Sequence, residues 1–277
     1  MGRPWEPFVV KTIRLTATNK MVDIDYTNVP AGKRNVTIKA NGLDTVRGCP
    51  GGKTNKGQGC PWGCYAVDSM KRFHRLYEIP VSMELRPDLL LKDLGNCPDD
   101  WIRIGINGDP GEDWELTINT CKLIHLSGKR PVVITRAWTP PTDEILQELA
   151  DHDVILHVSI CAMDCGVMRE KLLQLLFDYD QLGTSVMRLV TFEFKDKTLM
   201  LKQELLYKWG GFVLEQPARL KSGNPTWQEV DQSKYKPYTN HTTHETTNRW
   251  KTAGALFDGV SCHGSCPSCP NKCFTKP

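Results

Sequence analysis

Apolar and polar residues change period along this 277-residue chain, and the changes mark its elements. Residues 36–40 place Val36, Ile38 and Ala40 on one side against polar neighbours, the two-residue period of a strand. Residues 8–15 and 21–26 read as two small strands, forming an N-terminal ribbon or cap. Residues 65–77 read as a basic helix containing Lys71, Arg72, His74 and Arg75. From residue 102 a regular rhythm begins. Strands are predicted over 102–106, 131–135, 154–159, 186–194 and 211–214, with helices over 112–126, 142–150, 167–179 and 198–209 between them. Thr142 stands where a helix needs an N-cap, and Leu172, Leu173, Leu175, Leu176 and Phe177 supply the apolar side of the third helix.

With 36–40 counted, six strands alternate with helices, which implies an α/β fold of parallel strands joined by right-handed crossovers. An open doubly wound sheet and an incomplete barrel both satisfy the pattern, and both put functional sites at the C-terminal ends of strands. After Pro217 the alternation stops. Residues 218–260 are polar and rich in Thr, Asn, Lys and Trp, and are expected to form a loosely structured excursion. The organisation read from the sequence is a ribbon over 1–33, an α/β body over 34–217 and a C-terminal extension over 218–277.

Composition narrows the class without naming a function. Apolar residues make up 40% and charged residues 24%, ordinary for a globular protein. The net charge of +3, from 35 basic and 32 acidic residues, is too small to argue for nucleic acid by itself. No apolar run approaches the roughly 18 residues of a membrane span, so no membrane partner is expected. The first twenty residues lack a signal-peptide core, so a reducing, cytoplasmic location is expected. Eleven cysteines in such a compartment point to metal ligation rather than a disulfide framework, and seven of them cluster.

The first cluster is Cys49, Cys60 and Cys64, spaced Cys-x10-Cys-x3-Cys in the glycine- and proline-rich stretch from Gly48-Cys49-Pro50 to Gly59-Cys60-Pro61-Trp62-Gly63-Cys64-Tyr65-Ala66. Glycine lets backbone wrap closely around a compact inorganic ligand, and thiolates suit iron–sulfur clusters and zinc. Three thiolates leave one metal position open for a cluster, whereas zinc would need a distant fourth ligand. The second cluster is Cys262, Cys266, Cys269 and Cys273, spaced Cys-x3-Cys-x2-Cys-x3-Cys. Four thiolates there fit either a fully ligated [4Fe–4S] cluster or a structural zinc knot. Arg219, Lys221, Trp227, Lys234, Tyr235, Lys236, Tyr238, Arg249, Trp250 and Lys251 interleave cations with aromatics, a mixture that suits nucleic acid and equally suits a solvated insertion packed on the body.

The first cysteine stretch, placed after a strand that opens a six-strand α/β series, resembles the radical S-adenosylmethionine (SAM) superfamily. It is nearest to a phage and bacterial group with a widened cysteine loop ending in Cys-Tyr-Ala. The resemblance covers residues 34–217 and implies a partial (β/α)6 TIM-like barrel. On that barrel Cys49, Cys60 and Cys64 hold a [4Fe–4S] cluster whose unique iron binds SAM. An electron from a donor such as flavodoxin or ferredoxin then releases a 5′-deoxyadenosyl radical.

By the same resemblance Trp62 and Tyr65 are candidates for the adenine contact, and Asn107-Gly108-Asp109 occupies the place that receives the amino group of SAM. Ser159 is the expected ribose or carboxylate contact, and Arg136 a partner for the SAM carboxylate. Glu193 or Glu215 is expected to face substrate, and Cys161 or Cys165 to donate a hydrogen atom to it. Cys262, Cys266 and Cys269 have the superfamily's usual spacing, but no strand–helix series follows them, so they are assigned with Cys273 to an auxiliary centre. The cation–aromatic stretch and the phage-like cysteine loop make a nucleic-acid base or nucleotide the first expectation for the substrate, with a peptide or small metabolite close behind. The alternative is a non-catalytic nucleic-acid-binding protein stabilised by zinc or a cluster.

Overall fold

The computed structural model describes residues 12–15, 21–25, 36–39, 42–52, 59–62, 64, 67, 77–85, 87–239, 246–252, 255–257, 259–262 and 273. The chain divides into two compact units, Met1–Cys49 with Ile79–Val154 and Pro50–Glu78 with Ile155–Pro277.

The first unit begins with an antiparallel sheet of β1 (Thr12–Leu15), β2 (Met21–Asp25) and β3 (Val36–Lys39), with Ile13 opposite Ile24 and Val22 opposite Ile38. Residues 36–39 therefore complete the ribbon and do not open the parallel sheet, which corrects the expectation for that strand. Its backbone bonds are taken by β2. The first parallel strand is the much shorter β4 (Gly42–Leu43), laid against β7 (Trp101–Ile104). Glycine is required at position 42, because a Cβ there would lie 2.4 Å from the Arg103 carbonyl oxygen. A two-stranded antiparallel pair of β5 (Val46–Arg47) and β6 (Val81–Ser82), distant in sequence, and then α1 (Pro87–Gly95) precede β7.

Beyond β7 come α2 (Trp114–Leu126), β8 (Arg130–Thr135) and α3 (Asp143–Asp151). Asp113 caps α2 by accepting from the Leu116 amide at 3.0 Å, and Thr142 caps α3 as its position in the sequence suggests. Ile102, Ile104, Val132 and Val133 are fully buried, as are Cys121 and Ile124 on α2.

The second unit carries β9 (Ile155–Cys161), α4 (Gly166–Asp180), β10 (Thr184–Thr191), α5 (Lys197–Tyr207) and β11 (Val213–Pro217). Leu172, Leu175, Leu176 and Tyr179 form the buried stripe of α4, spaced i, i+3, i+4, i+7, while Phe177 points outward. The predicted alternation is thus present, with strand order β11–β10–β9–β8–β7–β4 in a six-strand parallel sheet flanked by helices.

The described residues of 218–260 are more ordered than their polarity predicts. They contain α6 (Thr226–Glu229) and an antiparallel hairpin of β12 (Tyr235–Thr239) and β13 (Thr246–Thr252). Trp227 packs edge-on against Tyr235 and tilted against Trp250, which joins this stretch to Phe192, Phe194 and Val230 in one apolar cluster. Residues 65–77, read as a basic helix, fall outside the described residues except for Val67 and Tyr77. Among the described residues no helix is long and apolar enough to cross a membrane.

Candidate functional site

Two buried carboxylates organise the C-terminal ends of the strands in the first unit. Asp44, just past β4, accepts from the backbone amides of Ile106 and Asn107 and from Asn107 Nδ2. Asp109 accepts from the Gly111 amide at 3.0 Å, the Arg136 amide at 2.9 Å and the Thr135 hydroxyl. Burial pushes both carboxyls above their usual range, against the pull of these donors and of Arg47 and Arg136 nearby.

The Asn107-Gly108-Asp109 stretch is bonded in turn to the residue before Cys49. The Gly48 amide donates to the Asn107 carbonyl at 3.3 Å, and the Asp109 amide donates to the Gly48 carbonyl at 3.2 Å. Gly48 has φ +87, and a Cβ on Gly108 would meet the Val46 carbonyl oxygen at 1.9 Å. Both glycines are therefore dictated by backbone geometry. Cys49 is buried directly beside this clamp, so the first predicted ligand and the predicted amino-group stretch share one rim. The Asn107 side chain is engaged by Asp44, and the Arg136 guanidinium lies over the Trp138 ring at 5.3 Å.

Within the second unit, the Cys60 amide donates to the Gly51 carbonyl at 2.9 Å, and Cys60 and Cys64 are half-buried. The Trp62 carbonyl accepts from Asn224 Nδ2 at 2.9 Å, and its ring packs against the aromatic cluster. Tyr65 lies outside the described residues.

Ser159 is half-buried on β9 opposite Arg188 of β10. Cys161 is fully buried in the apolar cluster, its Sγ accepting from the Met163 amide, whereas Cys165 is exposed at the N-cap of α4. The two cysteines offered as hydrogen-atom donors thus stand in opposite environments. Glu193 is half-buried. Its amide donates to the Tyr235 hydroxyl, whose pKa is pushed up to about 12, chiefly by burial.

Glu215, expected to face substrate, is fully buried, and its carboxylate accepts from the amides of Leu256 and Phe257 at 2.7 and 3.2 Å. Its backbone also binds Val260 and Cys262, so this residue holds Leu256, Phe257, Val260 and Cys262 beside β11.

Cys262 and Cys273, the outer members of the terminal set, both meet strands of the second unit. Cys262 Sγ lies 3.7 Å from Arg188 Nη2. The Cys273 carbonyl lies 3.1 Å from Nε2 of the fully buried His157, and because a carbonyl only accepts, that nitrogen carries the proton. Cys266 and Cys269 lie outside the described residues. Sequence reasoning passed over Asp44, His157 and Arg188. A charge in the middle of the apolar run 186–190 was the available signal for the last of these.

The donor chemistry of the first set fits a thiolate-bound cluster: Cys49, Cys60 and Cys64 are all thiols rather than disulfide halves, one buried and two half-buried. Among the described residues no three His, Cys, Asp or Glu side chains gather closely enough to hold a metal ion. Comparison of the chain with family models, curated proteins and solved structures finds no match.

Proposed function

We propose that this chain is a radical SAM enzyme on a partial (β/α)6 barrel, acting on a nucleic-acid base or nucleotide. The observation that carries the reading is the clamp between Gly48 and Asn107-Gly108-Asp109, beside Cys49 and at the C-terminal end of the first parallel strand. In parallel α/β folds that edge is where sites are built.

Cys49, Cys60 and Cys64 would hold a [4Fe–4S] cluster with one iron open. Bound there and reduced by a flavodoxin- or ferredoxin-like donor, the cluster would supply the electron that splits SAM to a 5′-deoxyadenosyl radical. Ligands in a glycine-rich loop gather as the metal group binds, so loading and local ordering are coupled. The chain's own residues bind and orient. Cys49 is buried, which limits access of water to that ligand. Asp109 holds the Thr135 hydroxyl and the Arg136 amide, and so fixes the direction of the chain where Arg136 leaves β8. Arg136 is buried and cationic, suited to a carboxylate partner. The terminal cysteines would hold a second cluster or zinc. The nucleotide substrate is supported by Arg219, which lies over the Tyr238 ring at 4.3 Å on the C-terminal stretch.

The test is Cys60→Ala in anaerobically purified protein. SAM cleavage to 5′-deoxyadenosine is expected to be abolished while the metal of the terminal set is retained. Undiminished cleavage by the variant removes this loop from the chemistry.

A further inference from the structure

Arg188 sits in the middle of β10, in the run Val186-Met187-Arg188-Leu189-Val190, and is only 6% exposed. Its strand register places it beside Ser159 of β9. Nη2 donates to Gln216 Oε1 and approaches Cys262 Sγ at 3.7 Å. Nη1 is buried and has no hydrogen-bond partner among the described residues.

Two more cations belong to the same neighbourhood. Trp250 of β13 pairs antiparallel with Leu220, which sets Lys251 and Arg219 at neighbouring positions, and the Lys251 ammonium pKa is pushed down, first by burial and then by the Arg219 charge, with Cys262 pulling the other way. Arg219 Nε is buried and has no hydrogen-bond partner among the described residues. Among the described residues none of the three makes a salt bridge with a carboxylate.

A buried guanidinium without a counter-anion is costly, and here Arg188 approaches the Cys262 thiol while Arg219 and Lys251 stand at neighbouring positions, none of them paired with a carboxylate among the described residues. The planar guanidinium fork is matched to oxyanions, which it binds through paired N–H donors. A carboxylate would answer Arg188 alone, whereas a phosphate carries enough charge and enough oxygens to answer all three.

We propose that Arg188, Arg219 and Lys251 form a phosphate-binding site in the second unit, which takes a phosphate carried by a nucleotide or by a nucleic-acid strand. The site deepens the nucleotide reading above and rests on it for the identity of the substrate. The assignment adds a recognition role that is separate from the cysteine loop and lies at the strand position next to Ser159.

The test is calorimetric titration of the full-length protein, without SAM or reductant, using a 5′-mononucleotide, the corresponding nucleoside and a single-stranded oligonucleotide. A phosphate-bearing probe is expected to bind about ten-fold or more tightly than the nucleoside, and Arg188→Gln to remove that advantage. Lys251→Gln and Arg219→Gln, at less buried positions, are each expected to weaken the phosphate-bearing probe several-fold, and they carry the test if Arg188→Gln does not fold. Preference for the oligonucleotide with a steep salt dependence assigns the phosphate to a strand, and equal affinity for the mononucleotide assigns it to a free nucleotide.

Equal binding of nucleotide and nucleoside, no binding of either phosphate-bearing probe, or unchanged affinity in the variants overturns the proposal. Loss of bound iron or zinc in Arg188→Gln with phosphate affinity intact also overturns it, assigning the cations to the cysteine tail. Because SAM is absent from the titration, failure of the radical reading would register elsewhere, in the iron content and SAM cleavage of the unaltered protein.

Discussion

Asp44 and Asp109 are buried carboxylates whose hydrogen bonds come mostly from backbone amides, so each fixes the path of the chain, and each also holds one side chain, Asn107 and Thr135 respectively. That makes the first unit's rim sensitive to pH in a definite direction. Burial holds the folded pKa of Asp109 above the ordinary 3.8. A raised carboxyl contributes stability that is fully present below the ordinary value and is lost as pH rises through the folded value. Asp109→Asn carries no such titration, and it presents an N–H to groups that are themselves donors. The variant is expected to be destabilised by about 1–3 kcal/mol in acid, with the gap to the unaltered protein narrowing as pH rises. Thermal unfolding of both proteins from pH 4 to 8 checks this. A gap that widens with pH would show that the carboxylate is stabilised as an anion.

Elements in this protein are set by close backbone approach as much as by apolar pattern, and two glycines separate the effects. Gly108→Ala puts a Cβ onto the Val46 carbonyl and is expected to cost about 1–3 kcal/mol, loosening the clamp beside Cys49. Gly166→Ala, at the first position of α4 with nothing within 4 Å of the new methyl, is expected to stabilise by about 0.5–1 kcal/mol. Denaturant unfolding of both variants reads the opposite signs, and equal effects would contradict the packing described for Gly108.

The same physics separates what was legible in the sequence from what was not. Strands β7 to β11 were readable because Val132, Val133, Leu156, Val158 and Ile160 sit in short apolar runs between helical patterns. The opening strand β4 was not. Two residues carry no period, and the strand exists because Gly42 admits the neighbouring backbone. The β12–β13 hairpin was missed because Trp227, Tyr235 and Trp250 are scattered among polar residues and only meet in space. At the candidate site the Asn107-Gly108-Asp109 turn was readable, but its partners Asp44 and Gly48 come from another segment. Glu215 read as a residue at a strand end, and its partners at 256 and 257 have no local signal.

At the scale of the whole molecule, a six-strand parallel sheet flanked by helices carries two cysteine sets, one after its first strand and one at the end of the chain. In the proposed function the first set holds a catalytic iron–sulfur cluster and the second an auxiliary metal centre. Metal analysis with an absorption spectrum of the anaerobically purified protein, followed by reduction in the presence of SAM, tests it most directly. A brown protein that cleaves SAM to 5′-deoxyadenosine is expected, with about seven to eight irons if both sets hold clusters, or about four irons and one zinc if the terminal set is a zinc knot. A colourless protein with stoichiometric zinc and no SAM cleavage would contradict it, leaving the zinc-stabilised nucleic-acid-binding alternative.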